Sequence, residues 1–185
     1  MTDLAAHGWR IAVGYRHLQA DQLFVGTQLV STNQPLIINL HSVDVTASYA
    51  VTDRFSVSVT VPFVSGTQSR FYADSARHAV TAFGLGDVSV VGSTWLLDPH
   101  NHSGNIAFGL GVKAATGTHR AADTYFLQGG SSIQYPVDQS IQPGDGGWGV
   151  ILQVQAYRRA FHNAVAYTTG AYLINPRRLN DVAKD

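Results

Sequence analysis

A two-residue alternation between apolar and small polar side chains constrains the fold of this chain more than any other feature. It is clearest from Phe55 to Phe63, where the odd positions are all apolar and the even positions are Ser, Ser, Thr and Pro. Successive side chains of a β-strand point to opposite faces of the sheet. The segment therefore predicts a strand with one apolar, partly aromatic face and one small polar face.

The same alternation recurs six more times, at residues 9–16, 42–51, 87–96, 106–114, 150–157 and 164–173. In the last of these segments we assign the row that contains Val165 and Tyr167 to the apolar face. The pattern predicts about seven strands, many of them about ten residues long, which is the length that a tilted strand needs to cross a bilayer.

The connections between these segments alternate in length. Residues 52–54, 98–104 and 161–163 form short connections, whereas residues 18–36, 65–83 and 118–147 form long ones. Outer-membrane barrels sort their connections in this way because one rim faces the periplasm and the other faces the exterior. A soluble β-sandwich has no reason to do so.

The composition narrows the class of protein. Charged residues make up only 13% of the chain, against about 25% in soluble domains, so small polar residues have taken their place. Lys plus Arg equals Asp plus Glu, at 12 each, which argues against a nucleic-acid partner because phosphate binding needs clustered cations. The absence of cysteine excludes thiolate metal sites and cysteine nucleophiles.

These patterns predict an all-β protein, an antiparallel up-and-down transmembrane β-barrel, with residues 1–185 in a single domain. The sequence has no stretch of about 18 apolar residues, so it indicates no transmembrane helix. Single-chain bacterial barrels have an even number of strands, and an open sheet edge in lipid would leave backbone hydrogen bonds unmade. We therefore expect an incomplete barrel whose C-terminal strands are missing.

The polar face carries the candidate site residues. Charged and amide side chains on this face are expected to line a water-filled lumen: Arg10, Arg16, Asp44, Asp87, Lys113, Gln153 and Gln155. Their mixed signs predict no strong preference between anions and cations. The long connection 118–147 contains Tyr125, Phe126 and Tyr135, which we expect to constrict the lumen.

Two clusters invite a chemical role but favour a simpler one. His100 and His102 lie two residues apart in a short turn, where two ligands would hold a metal poorly. Asp74, Ser75 and His78 lie close together, but nothing like a nucleophile elbow surrounds the serine. We interpret both clusters as polar residues near the rims and expect no catalytic residue, no metal and no cofactor.

Three glycine-rich segments resemble a known family. They are the FGLGDVSV run at 83–90, the NIAFGLGVKAATG run at 105–117 and the GDGGWG run at 144–149. In this order they resemble the outer-membrane transporter barrels grouped with the phenol-degradation MetA-pathway proteins. The resemblance implies a bacterial outer-membrane channel for small aromatic or apolar compounds.

The function expected from the sequence is passive passage of small solutes through an outer-membrane pore, with the lipid bilayer as the partner of the apolar face. Two alternatives stay open. One is a plugged barrel that anchors or adheres rather than conducts. The other is a soluble, lipocalin-like β binder, whose apolar face would point inward and whose charges would point outward.

Overall fold

The computed structural model describes residues 7–30, 34–161 and 164–175, and this part of the protein is all-β. Its only helical elements are two short 3₁₀ turns, Gln128–Gly130 and Gln139–Ile141. Neither turn is long and apolar enough to be a membrane-spanning helix. The strands are β1 Trp9–Ala20, β2 Leu23–Val25, β3 Gln28–Val30, β4 Ile37–Ala50, β5 Phe55–Phe71, β6 Arg77–Leu85, β7 Ser89–Trp95, β8 Gly104–Lys113, β9 Ala122–Phe126, β10 Ser132–Pro136, β11 Gly149–Phe161 and β12 Ala164–Ile174.

The main sheet is antiparallel, with the strand order β1-β4-β5-β7-β8-β11-β12. Each of these strands pairs with the next one along the chain, so the sheet has up-and-down topology. Its seven-stranded path curls into a half-barrel, which confirms the predicted all-β, antiparallel and incomplete barrel. Two small hairpins, β2–β3 and β9–β10, lie off this path.

The strands β6 and β7 together occupy one place beside β5. The C-terminal part of β5 pairs with β6, where Phe63 lies opposite Leu85. The N-terminal part of β5 pairs with β7, where Thr60 lies opposite Ser89. Residues 86–88 interrupt the pairing between the two. Asp87 lies in this interruption, next to the place where the chain after β8 leaves the sheet.

Burial follows the predicted alternation most clearly in β8. Asn105 and Ala107 are buried, whereas Ile106, Phe108 and Leu110 are 44%, 50% and 64% exposed. The large apolar residues therefore lie on the convex outer face of the half-barrel, and the small and polar residues lie on its concave face.

The predicted orientation of β12 is wrong. Its register with β11 places Tyr167 opposite Tyr157 and Thr169 opposite Gln155, and directly paired residues share a face. The row that contains Val165 and Tyr167 therefore faces the concave side. The opposite row, from 164 to 170, is also small or apolar, so the alternation had little contrast, and only the pairing with β11 decides the orientation.

The long connections contain more sheet than their sequences indicate. Residues 65–83 continue β5 and β6 almost to the tight turn Tyr72–Ala76, and residues 18–36 include the end of β1 and the β2–β3 hairpin. Residues 118–147 hold the β9–β10 hairpin and both 3₁₀ turns. The short turns after β4 and β7 lie at the opposite end, as predicted; residues 162–163 lie outside the described ranges.

Candidate functional site

The concave face contains an open groove of about 350 Å³ at the end of the sheet that carries the short turns. We call it the short-turn groove. Its walls come from β1, β4, β5, β7, β11 and β12, together with the turns 51–54 and 99–100. The lining side chains used below are Arg10, Thr46, Ser48, Asp53, Arg54, Ser58, Thr60, Trp95, His100, Gln153, Gln155, Tyr157, Arg159 and Tyr167.

Hydroxyl pairs form the floor of this groove. The Oγ1 atoms of Thr46 and Thr60 lie 2.9 Å apart across β4 and β5, and the Oγ atoms of Ser48 and Ser58 lie 2.8 Å apart. These short side chains form hydrogen bonds with one another and leave the space above them unfilled. The floor is therefore polar, shallow and open.

Larger side chains stand at the mouth of the groove. The rings of Trp95 and Tyr157 meet edge to face at 5.2 Å between centroids. Arg54 donates a hydrogen bond of 3.1 Å from Nε to the carbonyl oxygen of Trp95 and a second one to the carbonyl oxygen of Leu96. On β12, the Tyr167 hydroxyl lies 3.2 Å from Oε1 of Gln155.

The other half of the concave face is filled by the chain between β8 and β11. Ile141 is fully buried there, and it packs with Val80, Ala82 and Val137 in a small apolar core. Gly66 of β5 allows this approach, because a Cβ atom on it would lie 2.6 Å from the Ile141 carbonyl oxygen. We call the segment 118–147, which packs against the sheet in this way, the inward loop.

A buried ion cluster joins the inward loop to the sheet. The ammonium of Lys113 contacts Asp87 at 3.1 Å and also contacts Asp145, and the side chains of Lys113 and Asp87 are only 10% and 7% exposed. Asp87 accepts the backbone N–H groups of Gly117 at 2.8 Å and Asp145 at 3.0 Å. The three glycine-rich segments that carry the family resemblance thus supply the three charged residues of one cluster.

The charges in this cluster control the ionisation of Asp145. Burial by itself would raise the pKa of this carboxyl group, but the hydrogen bonds from Lys113 and from the backbone N–H of Gly147 outweigh burial. The pKa of Asp145 is therefore lowered from its ordinary value. The ionised form is the one that holds the loop to the sheet.

The predicted constriction residues form an aromatic cluster at the far end of β5 and β6. Phe126 stacks on His78 with 3.6 Å between ring centroids, and Tyr125 meets Tyr72 edge to face at 5.5 Å. Tyr135 meets Tyr125 at 5.6 Å. These side chains fix the β9–β10 hairpin against the sheet.

The tight turn beside this cluster contains the candidate serine and histidine. Nε2 of His78 lies 2.6 Å from Oδ2 of Asp74. Ser75 has a positive φ of 64°, and its backbone N–H donates a hydrogen bond to the Tyr72 carbonyl oxygen. Its backbone therefore stabilises the turn. In the described ranges, no group of three or more His, Cys, Asp or Glu side chains is arranged to hold a metal ion.

The structure separates the predicted lumen residues into three groups. Arg10, Gln153 and Gln155 line the short-turn groove. Arg16 and Asp44 form an ion pair at 2.9 Å on the same face. Asp87 and Lys113 lie in the buried ion cluster rather than facing open space. A lumen-lining role stays a prediction for all seven.

Several groove residues were missed in the sequence. Continuing the odd row of β11 beyond Gln153 and Gln155 leads to Tyr157 and Arg159, so the alternation could have found these two. Arg54 had no such signal, because it lies in a turn and its direction depends on the carbonyl oxygens that it contacts.

The chain has no match among known family models, and no curated protein matches it.

Proposed function

We propose that this chain forms part of a bacterial outer-membrane β-barrel through which small solutes pass by diffusion. The observation that carries the proposal is the polarity of the half-barrel. Large apolar side chains are exposed on its convex face, and hydroxyl and amide groups lie on its concave face. A soluble barrel buries its apolar side chains inside, whereas a membrane barrel exposes them to lipid.

The height of the apolar surface also supports the proposal. On β5 the convex row is apolar from Phe55 to Phe63, which is about nine residues and matches the length of a tilted membrane-crossing strand. The same row then becomes polar, with Ser65, Thr67 and Ser69. A surface of this kind fits a hydrocarbon layer of limited thickness.

Aromatic residues at both margins of this apolar surface also support the proposal of a membrane barrel. At the short-turn margin Trp9 packs beside Tyr49 with 4.8 Å between ring centroids. At the other margin the hydroxyl of Tyr15 lies 2.7 Å from Nδ1 of His41. Trp and Tyr are enriched where a membrane meets water.

One observation favours a second candidate, a plugged barrel that does not conduct. The inward loop fills half of the concave face, and Ile141 buries its side chain completely. If the remaining lumen were too narrow, the barrel would anchor rather than conduct. The soluble-binder alternative is disfavoured by the exposed apolar surface, because the largest side chains would then face water.

Reconstitution into planar bilayers separates these functions. We expect discrete, ohmic current steps from the closed barrel of which this chain forms part, and larger steps after residues 118–147 are replaced by a short linker. Current only after the replacement would support the plugged barrel. A protein that stays monodisperse in plain buffer and never inserts would contradict both membrane functions.

A further inference from the structure

We propose that the short-turn groove is an anion site, which binds small organic carboxylates and gives the pore a preference for anions. This departs from the balance that the seven predicted lumen residues indicate, because Arg54 and Arg159 also line the groove. This inference rests on the proposed pore function for its transport part. The binding part concerns the groove alone.

The balance of charge in the groove supports an anionic ligand. Three arginines line it, Arg10, Arg54 and Arg159, and the only carboxylate among the described lining residues is Asp53. His100 also lines the groove, with its Nε2 3.8 Å from Oδ1 of Asp53. The formal charge of the lining is therefore positive, whichever of these groups pair with one another.

The cations among the predicted lumen residues towards the long-loop end are paired with carboxylates. Towards the long-loop end, Arg16 is paired with Asp44 at 2.9 Å. Lys113 lies between two carboxylates, Asp87 and Asp145. These two cations are therefore balanced by carboxylates, whereas the arginines of the short-turn groove outnumber the carboxylate that lines it.

Hydrogen bonds to backbone carbonyl oxygens hold the Arg54 side chain in place, and these contacts do not neutralise its charge. Its donors go to the carbonyl oxygens of Trp95 and Leu96, which carry no formal charge. A concave, partly enclosed surface with charges of one sign raises the local concentration of the opposite ion.

The chemistry of the walls fits an organic carboxylate. Guanidinium groups bind carboxylates with good geometry. Trp95 and Tyr157 offer apolar surface to the hydrocarbon part of such an ion, and the volume of about 350 Å³ lies within the range of small-molecule sites.

Binding is tested first, because it needs no current. Sodium benzoate is titrated into the protein in detergent micelles while the indole N–H signal of Trp95 is followed by NMR, with neutral benzamide as the matched probe. We expect saturable binding of benzoate, weaker binding of benzamide, and a severalfold loss of benzoate affinity in the double variant R10Q/R159Q. Equal binding of the two probes, or equal binding by the variant, would overturn the anion site.

The control for this variant is the double substitution R16Q/D44N, which removes one cation and one anion elsewhere on the concave face. We expect its benzoate affinity and its circular dichroism spectrum to match those of the unaltered protein. A loss of affinity as large as in R10Q/R159Q would show that the groove has no special role, and it would overturn the proposal.

Selectivity is tested by the reversal potential in a KCl gradient across a planar bilayer. We expect the closed barrel of which this chain forms part to favour chloride severalfold over potassium, R10Q/R159Q to lose this preference, and R16Q/D44N to keep it. Conductance without any anion preference would contradict the inference and leave the pore standing. Saturable benzoate binding without conductance would contradict the pore and leave the binding site standing.

Discussion

The two halves of the concave face belong to one sheet and share β4 and β5, yet one is hollow and the other is filled. In the short-turn half, hydroxyl pairs such as Thr46–Thr60 leave a groove above the sheet. In the long-loop half, Ile141 and its neighbours occupy the corresponding space. The strand pattern determines which face is concave and polar, but the connections determine what occupies that face.

Glycine marks the difference between the halves. A Cβ on Gly66 or Gly84 would lie 2.6 Å from an atom of the inward loop, whereas a Cβ on Gly14 of β1 would meet nothing within 4 Å. Glycine allows close backbone approach. The glycines under the loop therefore have a packing role that the glycine in the open part of the face does not share.

The largest effect is expected when the ion cluster that anchors the inward loop is broken. In Lys113→Met, the carboxylates of Asp87 and Asp145 lose their shared cation. Removing one partner from a buried ion pair costs about 3–5 kcal/mol, so the free energy of unfolding in micelles falls and trypsin cleaves faster after Arg120.

The matched control breaks an ion pair in the open part of the concave face. Arg16 is 71% exposed in its pair with Asp44, and exposed pairs contribute about 0–1 kcal/mol. We expect Arg16→Met to lower the free energy of unfolding by no more than that amount and to leave the rate of trypsin cleavage after Arg120 unchanged. Equal destabilisation by the two substitutions would show that the cluster does not anchor the loop.

A smaller effect is expected from adding a methyl group beneath the loop. Gly66→Ala pushes against the backbone of Ile141 and should destabilise the docked loop by about 1–3 kcal/mol. Gly14→Ala should be neutral or stabilise the sheet by up to about 1 kcal/mol. Urea unfolding of both variants measures the difference, and a Gly66→Ala protein as stable as Gly14→Ala would contradict the close packing.

The smallest effect is expected from acid. Because the pKa of Asp145 is lowered in the folded protein, its contribution to loop docking is fully present above the ordinary carboxyl value of about 4 and is lost as the pH falls through the lowered value. Conductance should therefore rise in acid. Asp145→Asn should lack this step and conduct at neutral pH as the acidified protein does; an unchanged acid step in this variant would contradict the assignment.

The sequence predicted the sheet well where the two faces differ strongly. In β8 every second residue is a large apolar one, so its orientation followed from the pattern alone. In β12 both faces carry small or apolar residues, and the predicted orientation was wrong because only hydrogen bonding to β11 determines it. Alternation therefore predicts the orientation of a strand only where its two rows of side chains differ clearly in size and polarity.

The interior of the inward loop could not be predicted from alternation. Asp87, Lys113 and Asp145 are far apart in the sequence, and their burial depends on the loop turning inward. The extension of β5 to Phe71 was also missed, because its convex row there is polar and resembles a loop. The outer-membrane location, the family resemblance and the solute class stay predictions.

The central claim is that the convex apolar face meets hydrocarbon while the concave face meets water. The chain has no cysteine, so a nitroxide can be attached to single cysteines introduced in turn at residues 152–155 of β11, in liposomes. We expect collisions with oxygen to peak at Leu152 and Val154, and collisions with a water-soluble nickel complex to peak at Gln153 and Gln155. The opposite phase, or no alternation at all, would contradict the account.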